Sequence, residues 1–184
     1  MKALLDGGTA EHFAKSYRAI ATANIFTKDL RGKSYGTGYG ARFFKWLMTK
    51  DGQAYESFGN GAPMRVSPVA WFYDDLDEVE KAAEISASVS HNYPEGIKGA
   101  KSVAGAILLA RMGMDKQAIK KYVEQRYGYD LNFTLDEIRD TYQYSEASQD
   151  TVPQAIVAFL EGRDFEDVIR MLCQLVAIAT QLVL

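Results

Sequence analysis

"SHNYPEGIKGAKSVAGAILLAR", residues 90–111, decides the fold class. From Lys98 onward it is an unbroken helical run rich in small residues, among them Gly99, Ala100, Ala104 and Gly105. Over side chains this short a second helix can pack closely. The opening "SHNYPEG" (90–96) reads instead as an irregular connection that holds His91 and Glu95.

Helical signals continue on both sides. Residues 9–25, "TAEHFAKSYRAIATANI", place Phe13, Tyr17, Ile20 and Ala21 on one face. "DDLDEVEKAAEISASVS" (74–90) opens with carboxylates in its first turn, where the helix dipole favours them. "DKQAIKKYVEQRYG" runs from an Asp115 cap to a Gly128 stop. Thr134 and Glu137 have capping-box spacing. "VPQAIVAFLEG" carries Pro153 near its first turn and ends at Gly162. Asp164 then caps "FEDVIR". No stretch alternates as a strand would. The expected architecture is one all-α domain, residues 1–184. The irregular stretches 31–40, 55–68, 90–96 and 144–151 are where such a scaffold would present chemistry.

Composition bounds the function. The 184 residues are 47% hydrophobic and 24% charged, with a net charge of −3. That balance gives no footprint for nucleic acid, and no basic cluster suggests an anionic membrane. A single cysteine, Cys173, excludes an internal disulfide, and two histidines leave little for a His-based metal site. The N-terminus lacks the apolar stretch of a signal peptide. The closing run falls short of the ~20 apolar residues needed to span a bilayer. A cytoplasmic, soluble chain is the expectation.

Two glycine-rich stretches could carry chemistry. In "SFGNGAPMR" (57–65), Gly59 and Gly61 flank Asn60. Glycines let the backbone approach a ligand, their N–H groups can cradle a phosphate, and Asn60 adds a donor and an acceptor. The same dipeptide is also a common tight turn. In "SYGTGYG" (34–40), Tyr35 and Tyr39 alternate with Gly36, Gly38 and Gly40, so an aromatic could stack on a base or ribose; a flexible connection is the plainer reading. His91 could be an acid/base group, a ligand contact or a helix-end cap. Asp74 and Asp75 read as a solvated first turn rather than a metal site.

Taken in order, "SFGNGAPMRVSPVAW", "SHNYPEGIKGAKSVAGAILLAR", "RYGYDLNFTLDEIR" and "TVPQAIVAFLEGRDFEDVIR" resemble the ADP-ribosylglycohydrolase family, over residues 3–170. The resemblance implies an all-α orthogonal bundle around a cleft, and removal of ADP-ribose from modified acceptors with a pair of magnesium ions. It implies an ADP-ribose site drawing on Ser57, Gly59, Asn60, Gly61, Arg65, His91 and Glu95. Tyr35 and Gly38 in the 35–40 loop, and the 148–151 loop, would form its rims.

The resemblance also marks a departure. The family's metal ions are held by two carboxylate motifs, "TDDT" before the point where this chain begins and "GGDSDT" shortly after "FEDxIRNAxxL". Neither occurs here; "RMLCQLVAIATQLVL" (170–184) stands where the second belongs. Codons permitted for that tail, read one base earlier, can encode "NAVSIGGDSDTIGV". The tail is thus either a frame-shifted reading of the ancestral segment or an apolar helix kept for its own sake. The expectation is a fold incomplete at both ends, no magnesium held well, at most trace hydrolysis, and an apolar tail open to self-association. The alternative function is a non-catalytic ADP-ribose-binding module.

Overall fold

The structure, a computed structural model, describes residues 1–24 and 39–181. Tyr35 and Gly38 therefore lie outside the described residues. Those described form helices and one isolated antiparallel bridge, Gly59 to Ala147. In chain order the helices are α1 (Lys2–Leu5), α2 (Ala10–Asn24), α3 (Ala41–Met48), α4 (Gly61–Met64), α5 (Ser67–Phe72) and α6 (Leu76–Ser88). They continue with α7 (Pro94–Arg111), α8 (Lys116–Tyr127), α9 (Leu135–Ile138), α10 (Ser148–Glu161) and α11 (Phe165–Gln181).

Helix α7 is the hub, packed against α4, α5, α6, α8 and α10. Its small residues make this possible. A methyl group at Gly96 would come 2.7 Å from the Ser57 carbonyl oxygen, one at Gly99 3.0 Å from Ser148 Cβ, and one at Gly105 2.0 Å from the Tyr122 hydroxyl. Three glycines on one helix thus admit three neighbours: the 55–60 segment, α10 and α8. On one side Val66, Val69, Val79 and Leu108 form a core with α1 and α2; on the other Val123, Leu135, Val157 and Leu175 form a second core reaching α11. A smaller cluster of Ala21, Trp46 and Leu47 joins α2 to α3.

The capping chemistry read from the sequence is present. Asp75, Asp115 and Thr134 accept from the backbone N–H three residues on, and Glu137 closes the box at Thr134. Gly128 ends α8 at φ +65°. The Asp164 carboxylate accepts from the Asp167 N–H at 2.9 Å.

Several expectations need correction. Ile20 is 56% exposed although Phe13 and Ala21 on the same helix are buried, so the apolar stripe is narrower than its period suggested. The 148–151 stretch is the first turn of α10, not a loop, and Pro153 lies a turn deeper than expected. The early start is stabilised by Ser145 and Thr151: Ser145 Oγ accepts from Ala147 N–H, and Thr151 donates to the Ala147 carbonyl at 2.8 Å. The irregular 55–68 stretch contains α4 and the start of α5. The apolar tail is helical to Gln181 within α11, with Leu175 3% exposed in the second core.

Candidate functional site

Residues 58–61 are fixed by a partner distant in sequence. Asn60 N–H donates to the Glu146 carbonyl at 2.7 Å, and Ser148 N–H to the Phe58 carbonyl at 2.8 Å. Ser148 Oγ donates to the Gly59 carbonyl at 3.1 Å, and the Asn60 carboxamide to Thr151 Oγ1 at 3.3 Å. Ser57 Oγ accepts from Gly59 N–H at 3.2 Å. The Gly-Asn-Gly turn is therefore held as a small two-stranded clasp against the N-terminus of α10.

His91 lies over the glycines. A methyl at Gly61 would come 3.1 Å from His91 Nε2, and one at Gly59 3.7 Å from it. At Gly61 the added methyl would crowd the imidazole, whereas at Gly59 it would meet the ring at an ordinary contact distance. The ring is 5% exposed and packs at 5.7 Å from the Tyr55 ring and 6.0 Å from Phe43. Burial, with Arg65 and Arg42 nearby, pushes its pKa down to about 3, so it is neutral at physiological pH. Its backbone N–H does follow the end of α6, bonding the Ala87 carbonyl at 2.8 Å. A neutral imidazole, however, gains nothing from the helix dipole, which corrects the reading of His91 as a charged cap.

Arg65 lies behind this histidine. Its guanidinium donates to Ser90 Oγ at 2.7 Å and to the Ser86 carbonyl at 3.3 Å. It stacks over Tyr17 at 4.5 Å and Phe43 at 5.4 Å, and its buried Nε has no hydrogen-bond partner among the described residues. Burial lowers its pKa. The acceptors are neutral, so a buried cation is held here by aromatic faces and oxygen dipoles.

The structure thus brings Ser57, Gly59, Asn60, Gly61, Arg65 and His91 together. Glu95, on α7, stands 3.5 Å from Lys98, whose ammonium covers the Tyr129 ring, and its buried Oε2 has no hydrogen-bond partner among the described residues. The sequence reading did not single out Ser90, Tyr55 or Phe43, whereas Thr151 lies in the 148–151 stretch it named as a rim. It also missed Glu56, a non-glycine residue at φ +52° whose N–H bonds the Asn92 side chain at 2.7 Å. Positive φ at such a residue is a strained backbone that its surroundings must hold. On the far flank of the 144–151 stretch, Tyr142, Ser145, Asp150 and Gln154 line an open groove of about 490 Å³. Its lining includes Gln149 and Asp150 of α10's first turn.

The ordered clasp, the hub helix and the apolar α11 span the segments that carried the sequence resemblance, and the sequence model of ADP-ribosylglycohydrolase matches residues 1–177. The chain belongs to the ADP-ribosylglycohydrolase family. It is 32% identical over 128 residues to mouse (Mus musculus) ADP-ribosylhydrolase ARH3, covering 62% of this chain and 34% of that protein. With human (Homo sapiens) ARH3 it shares 30% over 128 residues, 62% of this chain and 35% of that one. An uncharacterized protein of Archaeoglobus fulgidus is 32% identical over 123 residues, 58% of this chain and 40% of the relative. The chain thus spans roughly a third to two-fifths of the length of the curated relatives it matches.

ADP-ribosylglycohydrolases are generally metal-dependent. Among the described residues of this member, no group of three or more His, Cys, Asp or Glu side chains is placed to hold an ion. Glu95 is engaged by Lys98, and Asp150 accepts from Ser145 at 2.8 Å. A hard divalent cation needs several convergent oxygens, and this donor set does not fit one. No helix among the described residues is long and apolar enough to cross a membrane.

Proposed function

We propose that this chain carries the ADP-ribose-recognising part of an ADP-ribosylglycohydrolase. It binds ADP-ribose at the Gly59-Asn60-Gly61 clasp and by itself hydrolyses ADP-ribosylated acceptors at no more than a trace. The observation that carries the reading is the Nε2 of a buried, neutral His91 set directly against Gly59 and Gly61. A glycine pair, an amide side chain and an imidazole suit a ligand of phosphates and ribose hydroxyls. The likeness to ARH3 proteins, ADP-ribosylhydrolases by name, supports the same substrate class. The sparse carboxylates support weak hydrolysis, since activating water at neutral pH usually needs a well-held ion.

Titration calorimetry with ADP-ribose tests the binding. Saturable heat that weakens at least tenfold in Asn60→Ala is expected, that being about the worth of one buried hydrogen bond with its partner orphaned. No heat at millimolar ligand would sink the reading. An assay on an ADP-ribosylated protein with magnesium tests the rest. Turnover comparable to that of a full-length relative would overturn the claim of trace hydrolysis.

A further inference from the structure

We propose that Arg65 and Ser90 act as positioning residues that hold the His91 proton on Nε2, so that His91 offers the ligand a hydrogen-bond donor and not a base. The ligand half of this inference rests on the ADP-ribose reading above; the histidine half does not.

Counting hydrogen-bond donors and acceptors around Ser90 assigns the tautomer. Arginine has donors only, so Ser90 Oγ accepts from Arg65 at 2.7 Å. Ser90 is fully buried, and its own hydroxyl proton must find an acceptor or remain unsatisfied at a cost of about 1–3 kcal/mol. The one acceptor beside it among the described residues is His91 Nδ1, at 2.8 Å. Nδ1 therefore accepts a hydrogen bond from the Ser90 hydroxyl and carries no proton of its own. A neutral imidazole has one N–H, which then lies on Nε2. Among the described residues, Arg65 and Arg42 are the charged groups acting on the ring, both cationic, and Tyr55 is its other titratable neighbour. A second proton would add a cation to that set.

Nε2 makes no hydrogen bond to any described residue and stands over Gly59 and Gly61. A donor so placed selects an acceptor at that point of the ligand, such as a phosphate or ribose oxygen. It cannot take a proton from a nucleophile. Arg65, the buried cation of the site, thus serves the ligand through Ser90 and His91.

The full chain labelled with 15N-histidine tests this by long-range proton–nitrogen NMR, with His91→Gln identifying which signals belong to His91. The expected wild-type spectrum shows an unprotonated Nδ1 and a protonated Nε2. A proton on Nδ1, or two averaged nitrogens, overturns the proposal without any variant having to fold. Ser90→Ala is expected to give averaged nitrogens and an ADP-ribose Kd raised on the order of tenfold. An unchanged tautomer in Ser90→Ala overturns the role of Ser90, and an unchanged tautomer in Arg65→Met removes Arg65. If the wild-type tautomer is as stated yet ADP-ribose does not bind, the positioning stands and the ligand assignment falls.

Discussion

At the scale of single residues, His91 couples the site to stability. Its pKa is about 3 in the folded chain against 6.5 for an ordinary histidine. Between those values the unfolded chain binds more protons than the folded one, so stability falls as pH drops through that window. Urea unfolding at pH 7.5 and pH 5 should show wild type losing roughly 2 kcal/mol more than His91→Gln. Equal losses would mean that the imidazole is not buried as described. Gly105 makes a simpler case. A methyl there would stand 2.0 Å from the Tyr122 hydroxyl, which Glu80 holds in place at 2.8 Å. Gly105→Ala is expected to cost about 1–3 kcal/mol, the usual penalty of overpacking, read as a lowered urea midpoint. Tyr122→Phe in the same chain should recover only part of it, because ring atoms at 2.6 and 2.8 Å remain. That Gly105 was small was plain from the sequence. Which side chain needed the space was not, since Tyr122 arrives from another helix.

Among elements, α8 shows how far local chemistry reaches. Asp115 caps its first turn and Gly128, at φ +65°, ends its last, both as their residue types require. Asp115→Ala should cost about 1 kcal/mol, and thermal unfolding should register it as a lower midpoint. No change would mean that Lys116, bonded to the Gly162 carbonyl, anchors this end unaided. Helix α10 shows the limit. Its sequence suggested a start beside Pro153, yet it begins at Ser148. The added turn is held by the Ser148 backbone N–H bonding Phe58 and by Ser148 Oγ bonding Gly59. Those bonds come from a segment ninety residues earlier, which no capping rule can see. The clasp and the start of α10 are therefore one event: forming either supplies the partners of the other.

Across the whole molecule, one buried acid joins elements that the two main cores leave apart. Glu80 on α6 is 4% exposed and receives Arg126 Nε at 2.6 Å, Arg126 Nη2 at 2.7 Å and the Tyr122 hydroxyl. Burial alone would raise its pKa; the bonds from Arg126, Tyr127 and Tyr122 outweigh this and hold it below the ordinary glutamate range. With a depressed folded pKa, its stabilisation is present above the ordinary value and is lost as pH falls through the folded one. Glu80→Gln should cost about 1–3 kcal/mol near neutral pH, with the gap to wild type closing in acid. A gap that persists in acid would place the cost in packing rather than charge. The apolar end of the chain is tested at the same scale. Leu175 is buried in the second core with Val157 and Leu135. Leu175→Asp should unfold that half of the molecule in urea before the α6–α7 half, as amide exchange would report. Uniform loss of protection would mean that the two cores unfold as one.

By itself the sequence determined the helical class, the caps of α6, α8 and α9, the small-residue helical run at 98–111 and the family. Each is written in neighbouring residues or in a motif that keeps its order along the chain. The family resemblance grouped Gly59, Asn60, Gly61 and His91, and the fold brings these four together. Only the tertiary structure decided that Arg65 bonds Ser90, that Ser90 bonds His91 Nδ1, and that Glu95 pairs with Lys98. It also placed the tail's Leu175 in a core. The physical reason is the same in each case. Hydrogen-bond partners of buried groups are set by what packing brings within about 3 Å, and here those partners come from helices far apart in sequence.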